Sequence, residues 1–485
     1  EKMINVSIGE EKSKRVWETY YECYITEADI RQVAFEGFNS VRVPISSRFI
    51  LEGRDSGRYN EHHLQLIDRL IEWCTTYRLY VILDLHGAPG GQTGTNIDDS
   101  EHDRPELFMN EENKHLTIAL WRMLAERYKD EWIVAGYDLL NEPLPEWFSR
   151  YNSHVMPLYR EIVKAIREVD KLHIIILEGI HWATDWSIFT EKIDNNLVLE
   201  FHKYWNNPDT ESIQSYLNKR EEWNVPIFMG EGGENNCDWY TGAFRLFEDH
   251  NISWNFWTWK KMDTNNSPCS IVMPENWQLL VDYLNSGTRP DEETVEAILW
   301  EYLENILFYK CKYLPEVVRS IFSRPPIRIP AVFYGFRGCG ISFKVKERKK
   351  GEIEFRINDG TNIQSLRGNS SIPNFQHTKG ESWDSNKWLF VRLEPESWLA
   401  YDINIKDCSN SLCFTMDLCL CSHEDEGQIE IQLDRKIIGY IENIRNKWGI
   451  VTLKEEICLL PGMYQIIIKA EKKPICVKWI KVLLV

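Results

Sequence analysis

The fold class predicted for this chain is α/β: a (β/α)8 TIM barrel with its first strand weak or missing, followed by a smaller all-β sandwich. Three observations predict it. Up to residue 320, short apolar runs rich in β-branched residues alternate with amphipathic stretches, the pattern of a parallel sheet covered by helices. Arg324-Pro325-Pro326-Ile327-Arg328-Ile329-Pro330 then sets three prolines in seven positions, which stiffens and extends the backbone. Beyond it the hydrophobic period switches to two, as in the short strands of a sandwich. A chain of 485 residues accommodates a barrel of ~250–300 residues and a smaller module.

In chain order, the expected barrel strands are 39–44, 79–85, 133–140, 173–178, 197–201, 226–230 and 252–258. Helical patterns lie between them at 59–77, 111–128, 151–169, 210–223 and 234–250. Seven such strands imply an eight-stranded barrel lacking its first, for which residues 3–8 are a poor fit. Residues 285–322 read as helical, most strongly over 292–308. Alternating strands follow at 341–346, 352–357, 428–433 and 464–469. The domains are therefore expected at 1–323 (barrel) and 324–485 (sandwich).

A net charge of −18 argues against nucleic acid or an anionic membrane surface as partner. The basic run 344–350, with Lys349 and Lys350, reads as a solvated turn. No apolar run is long enough to span a bilayer, and the opening Glu1-Lys2-Met3 does not begin a signal peptide. Localisation is left open: cytoplasmic if the chain is complete, secreted if it has been trimmed. The 12 cysteines are scattered with no C-x-x-C pair. In the cluster Cys408, Cys413, Cys419 and Cys421, the last two share a strand face and read as small core residues, so no metal site is expected and the usage leans toward thiols in a reducing compartment. The chain is read as a monomer without cofactors. Aromatic residues are abundant, with 20 Trp, 21 Tyr and 20 Phe, and their flat faces suit the CH-rich face of a sugar ring.

Two apolar runs end on a carboxylate just before a loop-forming Pro or Gly: Tyr137-Asp138-Leu139-Leu140-Asn141-Glu142-Pro143 and Pro226-Ile227-Phe228-Met229-Gly230-Glu231-Gly232-Gly233. Paired carboxyls in one cleft, one ionised and one protonated, are the minimum needed to cleave a glycosidic bond. The other strand ends carry Arg42, Asp84, His86, Asn141, Glu178, His202, Tyr204 and Trp257. In a parallel barrel that end is where the active site is built.

Val41-Arg42-Val43-Pro44, Asp84-Leu85-His86-Gly87-Ala88-Pro89-Gly90, Asn141-Glu142-Pro143, His202-Lys203-Tyr204, Gly230-Glu231 and Trp254-x-x-Trp257 occur in this order. This series resembles glycoside hydrolase family five over roughly residues 26–322, most closely its exo-β-1,3-glucanase and related β-glucanase branches. The Gly-Gly-Trp stretch usual after that family's first strand is not visible. The resemblance implies a retaining β-glycoside hydrolase, with Glu142 as acid/base and Glu231 as nucleophile. It also implies that Arg42 and Tyr204 hold Glu231, that His202 tunes Glu142, and that Asn141 and His86 bind ring hydroxyls over a Trp257 floor. The implied partner is a β-linked polysaccharide or oligosaccharide, with β-glucan ahead of β-mannan. A barrel that binds sugar without cleaving it is the alternative, and a Schiff-base lysine at Lys203 a remote third.

The loop 87–105 reads as a wall of the cleft, its Asp98, Asp99, Glu101 and Asp103 being solvated acids. Trp147, Trp205, Trp239 and Tyr240 are further candidate sugar platforms. Ser397-Trp398-Leu399-Ala400-Tyr401-Asp402, Lys447-Trp448-Gly449, Leu460-Pro461-Gly462-Met463-Tyr464 and Lys478-Trp479-Ile480 resemble, more loosely, family-six-type carbohydrate-binding modules, with Trp448 as the stacking candidate.

Overall fold

The structure is a computed structural model that describes residues 1–485 apart from 54–56, 99, 286, 349–352, 368–372, 384–387, 407–410, 423 and 425. The expectations at Asp99, Lys349, Lys350, Glu352 and Cys408 thus lie outside the described residues.

Seven parallel strands, β1 (Ser40–Ser46), β2 (Tyr80–Gly87), β3 (Val134–Asp138), β4 (Ile174–Glu178), β5 (Leu197–His202), β6 (Ile227–Glu231) and β7 (Ser253–Trp254), form one curled sheet in sequential order. Each matches an expected run, but the last is cut to two residues because the chain leaves the ladder to bridge Gly233 through Trp257. β4 shows why such runs become strands: Ile-Ile-Ile-Leu-Glu is β-branched and buried on both faces. Helices Glu61–Tyr77, Glu111–Tyr128, Val155–Val169, Gln214–Trp223 and Cys237–Asp249 connect the strands. Asn60, Asn110 and Asn236 start three of them by accepting a backbone N–H of the first turn.

Residues 3–8, the poor candidate for a first strand, belong to the helix Lys2–Ile8. Their Ile4 and Ile8 pack with Val16, Val295 and Leu299 of neighbouring helices. No ladder joins β7 to β1; Ser40 and Asn255 meet there at 3.3 Å. A cavity of about 530 Å³ borders this gap, lined by Tyr24, Val33, Val41, Val43, Phe256 and Trp259 among others. Beside it the fully buried pair Lys260–Asp29, 2.7 Å apart, fastens the helix Glu27–Glu36 to the chain following β7. The helical region 285–322 contains Glu292–Asn305 and Pro315–Ile321.

The remaining chain forms two antiparallel sheets. One runs Asn362–Ser365, Leu389–Leu393, Ile475–Leu484, Leu412–Ser422, Gly449–Thr452 in spatial order; Ile327–Pro330 of the proline-rich segment pairs with Ile475–Leu484. The other runs Phe343–Lys344, Trp398–Ile405, Gly462–Ala470, Gly427–Leu433, Lys436–Ile444. Of the expected strands, 428–433 and 464–469 lie in these sheets, and 341–346 shrinks to Phe343–Lys344. Residues 353–357 are bends running into a turn rather than a strand. Their alternation has another cause: Ile353 and Phe355 are buried in the core. Buried Arg356 donates to the carbonyls of Val332 and Gly335. Cys413 and Cys458 form a disulfide between paired strands, which departs from the reading of the cysteines as thiols. Among the described residues no helix is long and apolar enough to cross a membrane.

Candidate active site

The carboxyl ends of β1–β6 surround a single guanidinium. Arg42 of β1 is 3% exposed and reaches across the barrel mouth. Its Nη1 lies 2.6 Å from Glu231 Oε1 and 3.1 Å from Asp84 Oδ2. Its Nη2 lies 2.7 Å from Asp138 Oδ2, 2.8 Å from Glu178 Oε1 and 2.9 Å from Asn141 Oδ1. Glu200 Oε1 is 3.4 Å from its Nε. Strand register makes this possible, since Asp84 pairs with Asp138 and Glu178 with Glu200 on adjacent parallel strands. One cation cannot neutralise five buried carboxyls, so protons must make up the difference. Burial pushes Asp138 up to about 7 and carries Glu178 and Glu200 well above the usual carboxylate range.

A carboxyl oxygen of Glu142, one of Glu231 and a ring nitrogen of His202 all lie within 4.8 Å of one another. Glu231 is held at both oxygens, by Arg42 at Oε1 and by the Tyr204 hydroxyl, 2.5 Å from Oε2. Glu142 has a left-handed backbone (φ 46°), costly for a residue with a Cβ and sustained only where its surroundings hold it. Its N–H donates to Glu178 Oε2 at 2.7 Å, and its Oε1 lies 2.8 Å from His202 Nδ1. Burial pushes the Glu142 carboxyl up to about 7 and the His202 imidazole down to about 3, so the ring facing Glu142 is neutral at neutral pH.

Arg42, His86, Asn141, Glu142, His202, Tyr204, Glu231 and Trp257 thus converge on one mouth. His86 hydrogen-bonds Asp84 through Nδ1 (2.8 Å) and stacks parallel to Trp257, ring centroids 5.5 Å apart. The chain just after β2 packs against this mouth through Gln92, buried, whose amide donates to the carbonyls of His86 and Asn141. Added side chains at Gly90 and Gly91 would collide with Asn113 and Ser100. Trp147 and Trp205 are 64% and 44% exposed, and Trp147 meets Trp182 edge-on. Trp239 and Tyr240 are not platforms: both are buried in the helix Cys237–Asp249, whose apolar face packs into the core. Lys203 lies against the Tyr216 ring, and burial lowers it to about 8. Trp448 is half-buried, with Phe390 edge-on and Lys478 over its ring.

Residues 5–263 match the family model described as Cellulase (glycosyl hydrolase family 5). The chain belongs to glycosyl hydrolase family 5. It is an O-glycosyl hydrolase, similar to β-glucanases and cellulases. A β-xylosidase of Phanerodontia chrysosporium is 30% identical over 199 residues, 41% of this chain and 41% of that protein. Endoglucanase C of Acetivibrio thermocellus is 27% identical over 306 residues, half of this chain and 86% of its own length. A probable glucan 1,3-beta-glucosidase A of Aspergillus fumigatus is 29% identical over 204 residues, 41% of this chain and 47% of that protein. The family-5 chain thus spans under half the length of two of these three relatives. Among solved structures, Pseudomonas stutzeri endoglucanase Cel5A aligns with 48% of this chain and 76% of its own at 20% identity, with a TM-score of 0.40.

Reading only the strand ends of this family-5 hydrolase misses Asp138 and Glu200. Each is a lone acid within an apolar strand run, and that is the available signal. Gln92 and Trp182 are missed as well. Carboxyl and imidazole groups here come close enough in threes to ligate a cation, as in Asp84, Asp138 and Glu178. Each such group includes an oxygen already engaged by Arg42 or His202.

Proposed function

We propose that this family-5 enzyme cleaves β-glucan or β-gluco-oligosaccharides with retention, by double displacement, Glu142 acting as acid/base and Glu231 as nucleophile. The observation that carries the reading is the pair itself, with one oxygen of each carboxyl within 4.8 Å of one oxygen of the other. A retaining pair sits ~5–5.5 Å apart, whereas an inverting pair needs ~6.5–9.5 Å to admit a water. The environments divide the labour. Glu231 faces a guanidinium and a phenol, which favour an anion. Glu142, raised to about 7 by burial, keeps a proton to give.

In the first step a Glu231 oxygen attacks the anomeric carbon while the Glu142 proton passes to the leaving glycosidic oxygen. The C–O bond breaks and a glycosyl ester forms on Glu231. In the second, Glu142, now ionised, takes a proton from water as that water attacks the same carbon and releases Glu231. Asn141, held by Arg42 and by Gln92 through its carbonyl, is set to bond the sugar 2-hydroxyl. His86 would bind another hydroxyl and Trp257 the ring face. Glucan is favoured because relatives named endoglucanase and glucan 1,3-beta-glucosidase are 27% and 29% identical to this chain over 306 and 204 residues. We assign residues 1–323 to the catalytic barrel and 324–485 to a β-sandwich resembling carbohydrate-binding modules. If that unit binds sugar through Trp448, W448A abolishes its glucan pull-down; unchanged pull-down removes Trp448 from the reading.

Glu142→Gln and Glu231→Gln test the assignment. Both should fold and lose laminarin or cellulose hydrolysis by at least ~10²-fold. E142Q should still glycosylate itself from a dinitrophenyl β-glucoside, whose leaving group needs no proton, and E231Q should not. Near-normal glucan hydrolysis by either variant refutes the assignment.

A further inference from the structure

Two loops leave the catalytic mouth after β5 and β6, one beginning with Tyr204 and the other running from Gly232 to Asn236. Both are fastened from outside by the C-terminal half of the chain. Asn207 Nδ2 donates to Glu354 O (3.1 Å), and the Asn358 N–H donates to Glu211 (2.9 Å). Asn236 Nδ2 donates to Glu381 O and Asn266 Nδ2 to Thr378 O, each at 3.0 Å. Gly380 passes so close to Asn265 that a Cβ there would sit 2.0 Å from its side-chain oxygen. Phe375, 2% exposed, anchors this segment among Phe333, Phe355 and Trp383.

Asn235 is the joint between the two parts. It is fully buried, and its amide donates twice: to Tyr204 O at 3.0 Å and to Phe375 O at 2.7 Å. Its N–H donates to the Tyr240 hydroxyl, and its Oδ1 accepts from the Asn236 N–H. Every polar atom of the side chain is therefore spent on fixing backbone, and one of the groups it fixes is the carbonyl of Tyr204, whose hydroxyl donates to Glu231. A buried amide with all its partners in place holds one geometry, because any other leaves a donor unpaired.

We infer that Asn235 is a positioning residue for the reaction: it locks Tyr204 onto Glu231 using segment 375–381 as its anvil, so the C-terminal half is part of the catalytic scaffold. The inference rests on the reading of Glu231 as nucleophile and Tyr204 as its partner. A double-mutant cycle in the full-length chain tests it, with N235A, Y204F and the double variant assayed on an activated aryl β-glucoside. N235A should lower kcat about tenfold with KM changed less than about twofold, and should cost less than about twofold more in the Y204F background. N207A, which cuts an interface bond that does not touch Tyr204, should stay within about twofold of the parent. Additive effects of N235A and Y204F, or a fall in melting temperature with kcat unchanged, would overturn the inference. If N235A does not fold, N235S replaces it in the same cycle and is judged by the same additivity. Near-normal activity of Y204F and E231Q would instead refute the underlying reading of the site.

Discussion

Replacing Glu142 with glutamine removes a carboxyl that folding raises from 4.5 to about 7, through burial. The folded protein therefore binds this proton more tightly than the unfolded chain does. The resulting stabilisation is complete below pH ~4.5 and is lost as pH rises through ~7. At about 1.4 kcal/mol per pKa unit, the gap corresponds to about 3 kcal/mol. The amide introduced by E142Q does not titrate, while Asp138, Glu178 and Glu200 contribute to both proteins and largely cancel in the difference. Urea unfolding followed by tryptophan fluorescence, at intervals from pH 4 to 8, gives that difference directly. Wild type minus E142Q should fall by about 3 kcal/mol over this range, with its steepest part between pH 5 and 7. A difference independent of pH, or one that grows with pH, would refute a buried, protonated Glu142.

Three further outcomes follow from the same geometry. Arg42→Met removes the guanidinium shared by Asp84, Asp138, Glu178, Glu200 and Glu231 and should cost ~3–5 kcal/mol in urea unfolding. Gln92→Ala strips donors from the buried carbonyls of His86 and Asn141; ~1–3 kcal/mol of stability should go with it, seen as a lower melting temperature. Trp257→Ala removes the ring stacked on His86 and should raise KM for laminari-oligosaccharides about fivefold, close to the ~1 kcal/mol of an aromatic contact, with a smaller change in kcat.

What the sequence makes legible is whatever repeats or sits at an element's end. β4 and β6 are continuous apolar runs closed by an acid, so both the strand and its terminal carboxylate can be read. The eight mouth residues from Arg42 to Trp257 lie within, at the end of or just beyond such runs, and the structure brings them together. Asp138 and Glu200 escape because they lie inside the apolar runs 133–140 and 197–201 that the sequence offers, where only the folded sheet shows that they face Arg42. Trp239 and Tyr240 mislead because an aromatic near a catalytic loop looks the same whether its helix face turns outward or into the core. The pattern of 352–357 misleads in a related way, since a period of two records burial on alternate sides, and bends can bury Ile353 and Phe355 as a strand would. The Cys413–Cys458 link depends on strand pairing 45 residues apart, which spacing does not encode.

The most direct measurement of the proposed double displacement is covalent trapping. Incubation with a 2-deoxy-2-fluoro-β-glucosyl fluoride, followed by peptide mass spectrometry, should find one fluoroglucosyl group per chain, esterified to Glu231, with its hydrolysis slowed further in E142A. A label on any other residue, or turnover that releases the inverted anomer with no adduct, would contradict the account.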